Sequence, residues 1–510
     1  MKIDNLYWLA ILLLSCTSSP QENSYAQPPN FLFIISDDQT WLHNASYGDS
    51  VVQTPEFDKL ASKGFLFNNA FCSSPHCSVS RAGILTGRNQ WQLQEAGTHG
   101  SNFPAQYQVV PEILLENGYA IGYTGKPWSP GKWDITGRNR NPAGDRFDEH
   151  QLDSLPAKFL TNTDPVKNFK DFLAQKETDQ PFWFWYGSIE PHVKYEKGIG
   201  LKMGIDTAKI ELPAFMPDHP DVKVELADHY FEIQWFDQQV GWLVDMLEEE
   251  GLAENTVIVV TSDNGIVWPR AKRSLYEWGS HMPLAIYWPK MKNRGTKIDR
   301  LTSFIDFAPT FLGLAGIEIP EEITGKSFAH YFTKEGIDQQ DDPDYVLTGF
   351  ERHDHRREDN LGYPIRAIRT DRYLFIKNYK TDRWPEGDPE LNEYGQGENN
   401  TESSWTSNYT YFEPGTELFD LAFGKRPGQE LYDIVKDPEC MNNLAMDEDF
   451  KPIADSLHQV LQDELIAQGD PRELGYGDIF ESYPRYGPMK DYLPGFKERG
   501  EYNPKYHVHP

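Results

Sequence analysis

The segment from residue 30 to residue 289 alternates short apolar runs with segments of helical spacing, and this pattern most constrains the fold. Runs rich in aromatic and β-branched residues predict strands at 31–35, 120–123, 182–186, 257–260 and 283–288. Helical spacing predicts helices at 55–65, with Thr54 as a cap, and at 228–250. Buried strands separated by helices are typical of a mostly parallel sheet between helices, so we expect an α/β fold.

Polar residues follow four of these strands close to the point where each strand ends. They are Asp37 and Asp38, Lys126, His192, and the pair Asp263 and Asn264. Ligands of open α/β sheets bind at the carboxyl ends of the strands, so this pattern predicts that the six side chains converge on one site. The alternative is that they lie in separate solvated loops, because loops are polar in any case.

The pattern changes after about residue 345. Residues 366–379 alternate like strands, and residues 430–433 lead into a predicted helix at 450–468. The tail from Gly475 is rich in Tyr, Pro and Gly and has no clear period. We therefore expect a signal peptide and tether at 1–27, a large α/β domain at 28–345, and a smaller α+β domain at 346–510 whose tail wraps back over the first.

The amino terminus has the features of a targeting segment. Lys2 precedes an apolar run at 9–14, which is too short to span a bilayer comfortably and therefore favours a signal peptide. The Leu-Leu-Ser-Cys sequence ending at Cys16 resembles a bacterial lipobox, which would place a lipid on Cys16. The chain would then be an exported outer-membrane lipoprotein, periplasmic or on the cell surface. The alternative is an ordinary cleaved signal with an incidental cysteine.

Charge and cysteine content exclude several classes of protein. The formal net charge is -30 and the sequence pI is near 4.8, so the basic surface that binds nucleic acid or anionic lipid is missing. A membrane would be reached only through a lipid anchor. A few local cations can still bind an anionic substrate. The four cysteines provide neither a disulfide framework nor zinc-ligand spacing.

Cys77 opens a segment of helical character, Cys-Ser-Val-Ser-Arg followed by Ala-Gly-Ile-Leu-Thr-Gly. At a helix amino terminus the free N–H groups favour an anion, so Cys77 alone is consistent with a thiol of lowered pKa that acts as a nucleophile. The alternative is a small buried core cysteine, the more usual role of an unpaired cysteine.

The motif from Cys77 to Gly87 resembles the signature of the formylglycine-dependent sulfatases of the alkaline-phosphatase-like superfamily. The resemblance implies an alkaline-phosphatase-like, mixed and mostly parallel sheet, with catalysis in 28–345 and a smaller C-terminal α+β domain. It implies that a formylglycine-maturing enzyme oxidises Cys77 to an aldehyde whose hydrate attacks sulfur. Val79 departs from the usual Pro or Ala. Ordered motifs extend the resemblance over 30–289, and more loosely through 366–373 and 430–433.

The resemblance also implies a set of ligands for a metal ion. Asp37 and Asp38 match the paired aspartates after the first strand, and Asp263 and Asn264 match the later Asp-Asn pair. With the hydrate oxygen of modified Cys77, four oxygen ligands suit calcium.

Four cationic residues match the family's catalytic groups. By analogy, Arg81 orders the hydrate, Lys126 and Lys272 bind the sulfate, and His192 supplies a proton to the leaving oxygen.

The family's Gly-Lys-x-His histidine falls on Trp128, which is a clear departure. Trp128 is consistent with a sugar-stacking surface or with a packed core aromatic. Further candidates for substrate binding are His353, His355 and Arg356, in a charged loop that could equally be solvated, and His99 as a similar candidate.

The preferred interpretation is hydrolysis of sulfate esters on a sulfated polysaccharide or its oligosaccharides, for example algal ulvan, within a polysaccharide or sulfamidase-like branch. A second interpretation is hydrolysis of the N-sulfate of glucosamine. A phosphohydrolase of the same superfamily would require Ser or Thr as the nucleophile and usually zinc or manganese. The last interpretation is a sulfated-glycan-binding protein without catalysis. The departures from the family pattern at Val79 and Trp128 leave this interpretation open.

Overall fold

A computed structural model describes residues 27–340, 342–353, 356–357, 361–388 and 411–486. The predictions for the signal peptide, for the lipid on Cys16 and for His355 lie outside these residues. The strands are β1 Asn30–Ser36, β2 Phe65–Phe67, β3 Ala70–Phe71, β4 Ala120–Gly125, β5 Asp145–Arg146, β6 Phe182–Gly187, β7 Thr256–Ser262, β8 His281–Met282, β9 Leu284–Tyr287, β10 Thr296–Ile298, β11 Thr302–Ser303, β12 Tyr345–Phe350, β13 Ile365–Thr370, β14 Tyr373–Asn378 and β15 Gln429–Asp433. The α-helices are α1 Pro55–Lys63, α2 Cys77–Thr86, α3 Val110–Glu116, α4 Pro165–Gln175, α5 Ile199–Lys202, α6 Pro220–Glu249, α7 Glu277–Ser280, α8 Phe307–Ala315, α9 His330–Thr333, α10 Glu417–Phe423 and α11 Lys451–Ala467.

Eight strands form the central sheet in the order β10-β2-β9-β7-β1-β6-β4-β5. The pairings from β7 through β1, β6 and β4 to β5 are parallel, and β9 runs antiparallel to both β7 and β2. The carboxyl ends of β1, β4, β6 and β7 therefore lie along one edge of the sheet. The predicted mixed, mostly parallel sheet is confirmed.

Strand β1 shows why both faces of this sheet are buried. Phe31, Phe33 and Ile35 belong to the core on one face, and Leu32 and Ile34 belong to the core on the other. Side chains alternate along a strand, so a run of five apolar residues supplies both layers. Helices α2, α3 and α8 contribute to the first layer, and α1, α4 and α6 contribute to the second.

The second sheet is antiparallel, with four strands in the order β12-β13-β14-β15. Helix α11 packs Leu461 and Leu465 against a core that also contains Ile368 and Phe375. This region is the predicted smaller α+β unit. The predicted boundary after residue 345 falls at the first residue of β12 and stays a prediction. Beyond α11 the chain returns to the first region, where the Tyr486 N–H donates to the Gly100 carbonyl at 2.8 Å.

One predicted helix start and one predicted helix cap differ from the structure. Helix α6 begins at Pro220 rather than near Asp228, because His219 caps it by accepting the Asp221 N–H at 3.1 Å. Thr54 makes no side-chain cap bond to α1. The Asp237 carboxylate, distant in sequence, instead accepts the N–H groups of Glu56 at 3.0 Å and Phe57 at 2.8 Å. A local cap therefore starts α6, whereas a tertiary contact caps α1.

Within the described part of the chain, none of the helices combines the length and the apolar character needed to cross a bilayer.

Candidate active site

The strand ends bring the predicted polar residues together. Asp37 and Asp38 follow β1, Lys126 follows β4, His192 lies five residues beyond β6, and Asp263 follows β7. The Asp38 N–H donates to Asp263 Oδ1 at 3.2 Å, which joins the ends of two neighbouring parallel strands. We call this group, together with Cys77, Arg81, Asn264 and Lys272, the carboxyl-edge pocket.

Cys77 lies at the amino end of α2 and is 2% exposed. Its Sγ donates to Asp37 Oδ1 at 3.1 Å and lies 3.5 Å from Lys272 Nζ. Burial, followed by the negative charge of Asp37, raises the pKa of the Cys77 thiol well above its usual value. This shift favours a neutral Cys77 thiol over the thiolate nucleophile, which stays a prediction.

Three cations pair with three carboxylates in the pocket. Arg81 Nε lies 2.8 Å from Asp263 Oδ2, and Lys272 Nζ lies 2.7 Å from Asp38 Oδ1. Lys126 Nζ contacts Asp37 Oδ2. The three aspartates are 0% exposed. Full burial of a charge is costly without a partner, so this pairing keeps the pocket electrically neutral.

Two carboxyls of the pocket have opposite pKa shifts. Burial raises the pKa of Asp37, but the positive charges around it, Lys126 foremost, outweigh burial and hold the pKa well below its usual range. Burial and the charge of Asp37 raise the pKa of Asp263 to about 6, although Arg81 opposes this shift. Carboxylates this close repel each other, so an additional positive charge would stabilise the ionised cluster.

The donor set fits a hard divalent cation. One ligand atom from each of Asp37, Asp38, Cys77 and Asp263 lies within 4.8 Å of the others. Asn264 Nδ2 donates to Asp38 Oδ1 at 2.6 Å, and Asn264 Oδ1 is buried without a hydrogen-bond partner. Rotation of this amide by half a turn would place Oδ1 beside the carboxylates. Oxygen-rich sets of this kind suit a hard metal ion rather than a softer one.

Arg81 also leaves one donor for an anion. Its Nη1 donates to the carbonyls of Lys126 at 2.7 Å and Pro127 at 3.2 Å, and its Nη2 is buried without a partner. An unpaired buried guanidinium N–H is costly, so this atom is suited to an oxyanion.

His192 presents one ring nitrogen to the pocket. Nδ1 lies 2.6 Å from the Val193 carbonyl, and Nε2 lies 3.7 Å from Asp38 Oδ2. Because Nδ1–H donates to the carbonyl, Nε2 is the nitrogen available for proton transfer.

Trp128 lies in the core, not in a binding surface. Its ring is 1% exposed and packs edge-to-face with Phe103, the ring centroids being 5.0 Å apart. The interpretation as a sugar-stacking surface is wrong because neither face of the ring is open. The core alternative is confirmed, so Trp128 does not replace the missing family histidine.

The structure places two of the other substrate-binding candidates beside the pocket. His99 and His353 stack with centroids 4.0 Å apart, and both lie within 6 Å of His76, the residue before Cys77. They are 1% and 3% exposed, so they can contribute only to a pocket wall. Arg356 is also buried, near Asp388, whose N–H donates to the Arg356 carbonyl at 2.9 Å. The substrate-binding roles stay predictions.

Two features of the site were missed in the sequence. His76 packs against the His99–His353 pair, and its position next to Cys77 was the available signal. The Tyr195 hydroxyl donates to the Pro191 carbonyl at 3.0 Å and lies 3.0 Å from His229 Nδ1. This contact holds the loop that carries His192. No local pattern indicates it, because His229 lies on α6.

Comparisons with known proteins agree with this geometry. A family model described as Sulfatase matches residues 29–317, and one described as N-sulphoglucosamine sulphohydrolase, C-terminal, matches residues 269–394. An ulvan-active sulfatase of Formosa agariphila is 26% identical over 487 residues, which cover 88% of this chain and 77% of that protein. Human N-sulphoglucosamine sulphohydrolase is 26% identical over 468 residues, which cover 86% of this chain and 89% of that protein.

A solved structure with a similar fold contains its substrate, D-glucosamine-2-N,6-O-disulfate. Its TM-score to this chain is 0.63 at 20% identity, and the match covers 87% of this chain and 99% of that chain. The likeness confirms the predicted fold class.

Proposed function

This chain belongs to the sulfatase family and is a sulfuric ester hydrolase, and from that premise we propose that it cleaves sulfate esters on a sulfated polysaccharide or its oligosaccharides. The observation that carries the proposal is the position of Cys77. Its Sγ lies 3.1 Å from a carboxylate oxygen of Asp37 and 3.5 Å from the ammonium of Lys272, beside two further carboxylates, those of Asp38 and Asp263. A neutral thiol forms only weak hydrogen bonds with these charged groups. The two hydroxyls of a hydrated aldehyde at this position would form strong hydrogen bonds with them.

We place formylglycine at residue 77 of the active protein. A maturing enzyme, which supplies a two-electron oxidant, converts the thiol-bearing carbon of Cys77 to an aldehyde as the C–S bond breaks and the sulfur leaves as sulfide. Water then adds to the aldehyde to give two hydroxyls on one carbon. Asp37 Oδ1 accepts from one hydroxyl, and Lys272 stabilises its oxygen as the proton leaves. Val79 is fully buried on α2 and does not block these contacts.

We propose calcium as the metal, which Asp37, Asp38, Asp263, Asn264 and a hydrate oxygen of residue 77 would hold. When bound, the ion would supply the positive charge that favours the ionised hydroxyl and the sulfate. The charges support this proposal. The pocket residues are balanced three against three, and a substrate sulfate ester plus an ionised hydroxyl add two negative charges. One divalent cation offsets these two added charges.

The chain's own residues account for each proton and bond. One hydroxyl oxygen of residue 77 bonds to sulfur while the bond between sulfur and the sugar oxygen breaks. His192 Nε2–H gives its proton to that sugar oxygen, and Arg81 Nη2 and Lys126 hold the sulfate oxygens. His192 Nε2 then takes the proton of the second hydroxyl, the bond between the residue-77 carbon and the sulfate oxygen breaks, and the aldehyde re-forms as sulfate leaves. The proton of the attacking hydroxyl passes by way of Asp37 to water, as the net release of one proton in sulfate ester hydrolysis requires. Addition of water to the aldehyde completes the hydrolysis.

A second candidate is hydrolysis of the N-sulfate of glucosamine. The match of residues 269–394 to the C-terminal model of N-sulphoglucosamine sulphohydrolase favours it, because this segment includes Lys272 of the pocket. The ulvan-active relative favours a polysaccharide ester instead.

Export to the periplasm or cell surface through the segment ending at Cys16 would give access to external glycans, and we propose it on the sequence alone.

A panel of defined substrates tests the proposal. Sulfate release is measured from ulvan oligosaccharides, N-sulfoglucosamine, an aryl sulfate and an aryl phosphate, with the Cys77→Ala variant as the control for contaminating activity. Release from an O-sulfated glycan, lost in Cys77→Ala, supports the proposal, and N-sulfoglucosamine as the best substrate moves it to the second candidate. Turnover of the phosphate alone, or glycan binding without turnover, would contradict both.

A further inference from the structure

A small cavity of about 20 Å³ lies between the loop that carries Lys272 and the antiparallel sheet. Three arginines, two glutamates and one tyrosine among its lining residues matter here: Arg270, Arg273, Arg426, Glu386, Glu430 and Tyr363. A cavity of this size has room for an occupant about as large as one or two water molecules. It is separate from the carboxyl-edge pocket, although Arg273 follows Lys272 directly in the chain.

Among the described residues, four buried lining atoms lack a hydrogen-bond partner, and each carries a hydrogen to donate. They are Arg270 Nε, Arg273 Nε, Arg273 Nη1 and the Tyr363 hydroxyl. Arg270, Arg273 and Tyr363 are 2%, 6% and 2% exposed, so solvent does not satisfy these groups. Unpaired buried donors are rare in native proteins because each costs the desolvation of its N–H or O–H.

The carboxylates of the lining are already engaged. Glu430 accepts from the hydroxyls of Tyr276 at 2.7 Å and Tyr432 at 2.6 Å, and from Asn378 Nδ2 at 2.7 Å. Glu386 accepts from Arg273 Nη2 at 3.1 Å. No buried lining acceptor is left without a partner among the described residues. A water molecule in the cavity would have to place its own hydrogens, but the unpaired lining atoms are N–H and O–H donors. An anion accepts a hydrogen bond from each of these donors.

The charge of the lining leads to the same conclusion. Three guanidiniums face two carboxylates, so the six residues carry one net positive charge. Arg270 lies over the Tyr276 ring at 4.0 Å and donates to the Cys440 and Leu421 carbonyls, and it forms no ion pair within the described residues. One monovalent anion would neutralise the group.

We propose that this cavity binds a monatomic monovalent anion, in practice chloride, through Arg270, Arg273 and the Tyr363 hydroxyl. Chloride is only slightly larger than water, accepts several hydrogen bonds and carries the required charge. The site ties residues 270–276 to the antiparallel sheet, so its occupant stabilises the loop that presents Lys272. The proposal does not depend on the substrate of the enzyme.

Diffraction from a crystal of the full chain grown with bromide in place of chloride tests the site directly. We expect an anomalous bromide peak in the cavity, within hydrogen-bonding reach of Arg273 and Tyr363. Density for water molecules with no anomalous peak would overturn the proposal.

Thermal unfolding gives an independent test in solution. Replacing gluconate, which is too large for the cavity, by chloride at constant ionic strength should raise the Tm of the wild-type protein by roughly 2–5 °C. Tyr363→Phe removes one donor and should reduce this rise by half or more. Tyr119→Phe is the matched control, because the Tyr119 hydroxyl is also buried without a partner but lies elsewhere.

A third variant removes the positive charge instead of the hydroxyl. Arg273→Met should abolish the chloride-dependent rise, and Tyr119→Phe should retain it in full. An equal rise in the wild-type protein, Tyr363→Phe and Arg273→Met would overturn the proposal. If Arg273→Met does not fold, Tyr363→Phe and the bromide peak still decide it.

Discussion

The carboxyl-edge pocket and the C-terminal ion network are both buried groups of paired charges, but they differ in how fully their hydrogen bonds are used. The network comprises Arg366, Arg472, Glu351, Asp470 and Glu481. Arg366 donates to Asp470 through Nε at 2.7 Å and to Glu351 through Nη2 at 2.8 Å, and its Nη1 donates to the Ile365 carbonyl at 2.9 Å. Both arginines have a partner at every buried side-chain nitrogen.

The pocket, in contrast, leaves one donor and one acceptor unpaired. Arg81 Nη2 and Asn264 Oδ1 are buried without partners, and Asp263 has a raised pKa. A saturated ion network stabilises a fold, whereas an unsaturated one is suited to ligands of both signs. The two regions should therefore respond differently to the same kind of substitution.

Asp263→Asn should have the largest effect, on catalysis. The variant keeps the shape of the side chain but removes one negative charge from the proposed calcium ligands, so we expect kcat/KM to fall about 10³-fold or more. Stability should change little, since relief of repulsion from Asp37 offsets the weaker contact with Arg81. Steady-state kinetics on an aryl sulfate and calcium titration by calorimetry measure the two effects. If Asp263→Asn retained its activity and bound calcium normally, the claim that the carboxyl-edge pocket is the catalytic site would fail.

Asp470→Asn applies the same chemical change to the network. It leaves Arg366 buried without its bidentate carboxylate, so the free energy of unfolding should fall by about 3–5 kcal/mol. Activity per folded molecule should stay near that of the wild-type protein. Denaturant unfolding measures the loss, with Asp371→Asn, at an exposed position, as the control. A large loss of kcat at low temperature with unchanged stability would contradict the claim that the network stabilises the fold and takes no part in catalysis.

Glu277 joins the α/β region to the antiparallel sheet through Arg369 and should behave like the network. Burial raises its pKa, but Arg369 and His281 outweigh burial and lower the pKa to about 2 from an ordinary value of 4.5. The folded state therefore binds fewer protons than the unfolded chain in this range. The stabilisation, up to about 3 kcal/mol, is present above pH 4.5 and is lost as pH falls toward 2.

The Glu277→Gln variant checks this sign. Its stability should be lower than that of the wild-type protein at pH 7, and its loss between pH 4.5 and pH 2 should be smaller. Denaturation midpoints across this range measure both, with the exposed Glu335→Gln as the control. The same acid loss in wild type and Glu277→Gln would show that this pair does not cause it.

Trp128→Phe should have the smallest effect, on stability alone. The ring fills core volume beside Phe103, and its Nε1 has no partner to lose, so we expect a loss of about 1–2 kcal/mol. The ratio of kcat/KM for a sulfated glycan to that for an aryl sulfate should not change. A selective loss for the glycan would restore the sugar-stacking interpretation.

Much of the pocket could be predicted from the sequence because local patterns fix it. Apolar runs set the strands, the parallel sheet brings their carboxyl ends together, and Asp37, Lys126 and Asp263 follow those ends directly. The motif at Cys77 also marks a helix start, which the structure confirms.

The remaining features depend on contacts between distant residues. Trp128 follows Lys126 by only two positions but turns into the core, and no periodicity indicates that direction. The network joins Glu351, Arg366 and Asp470 from separate elements, and the Asp237 cap of α1 crosses about 180 residues of chain. Sequence patterns predict elements and their ends better than they predict which side chains meet.

Quantitative mass spectrometry of the peptide that contains residue 77, paired with turnover on an aryl sulfate, tests the central claim most directly. Protein made with graded amounts of a formylglycine-maturing enzyme should contain graded fractions of formylglycine at Cys77. We expect kcat to rise in proportion to that fraction and to extrapolate to zero for the unmodified thiol, while Tm stays nearly constant. A fully active sample in which Cys77 is entirely unmodified thiol would contradict the account.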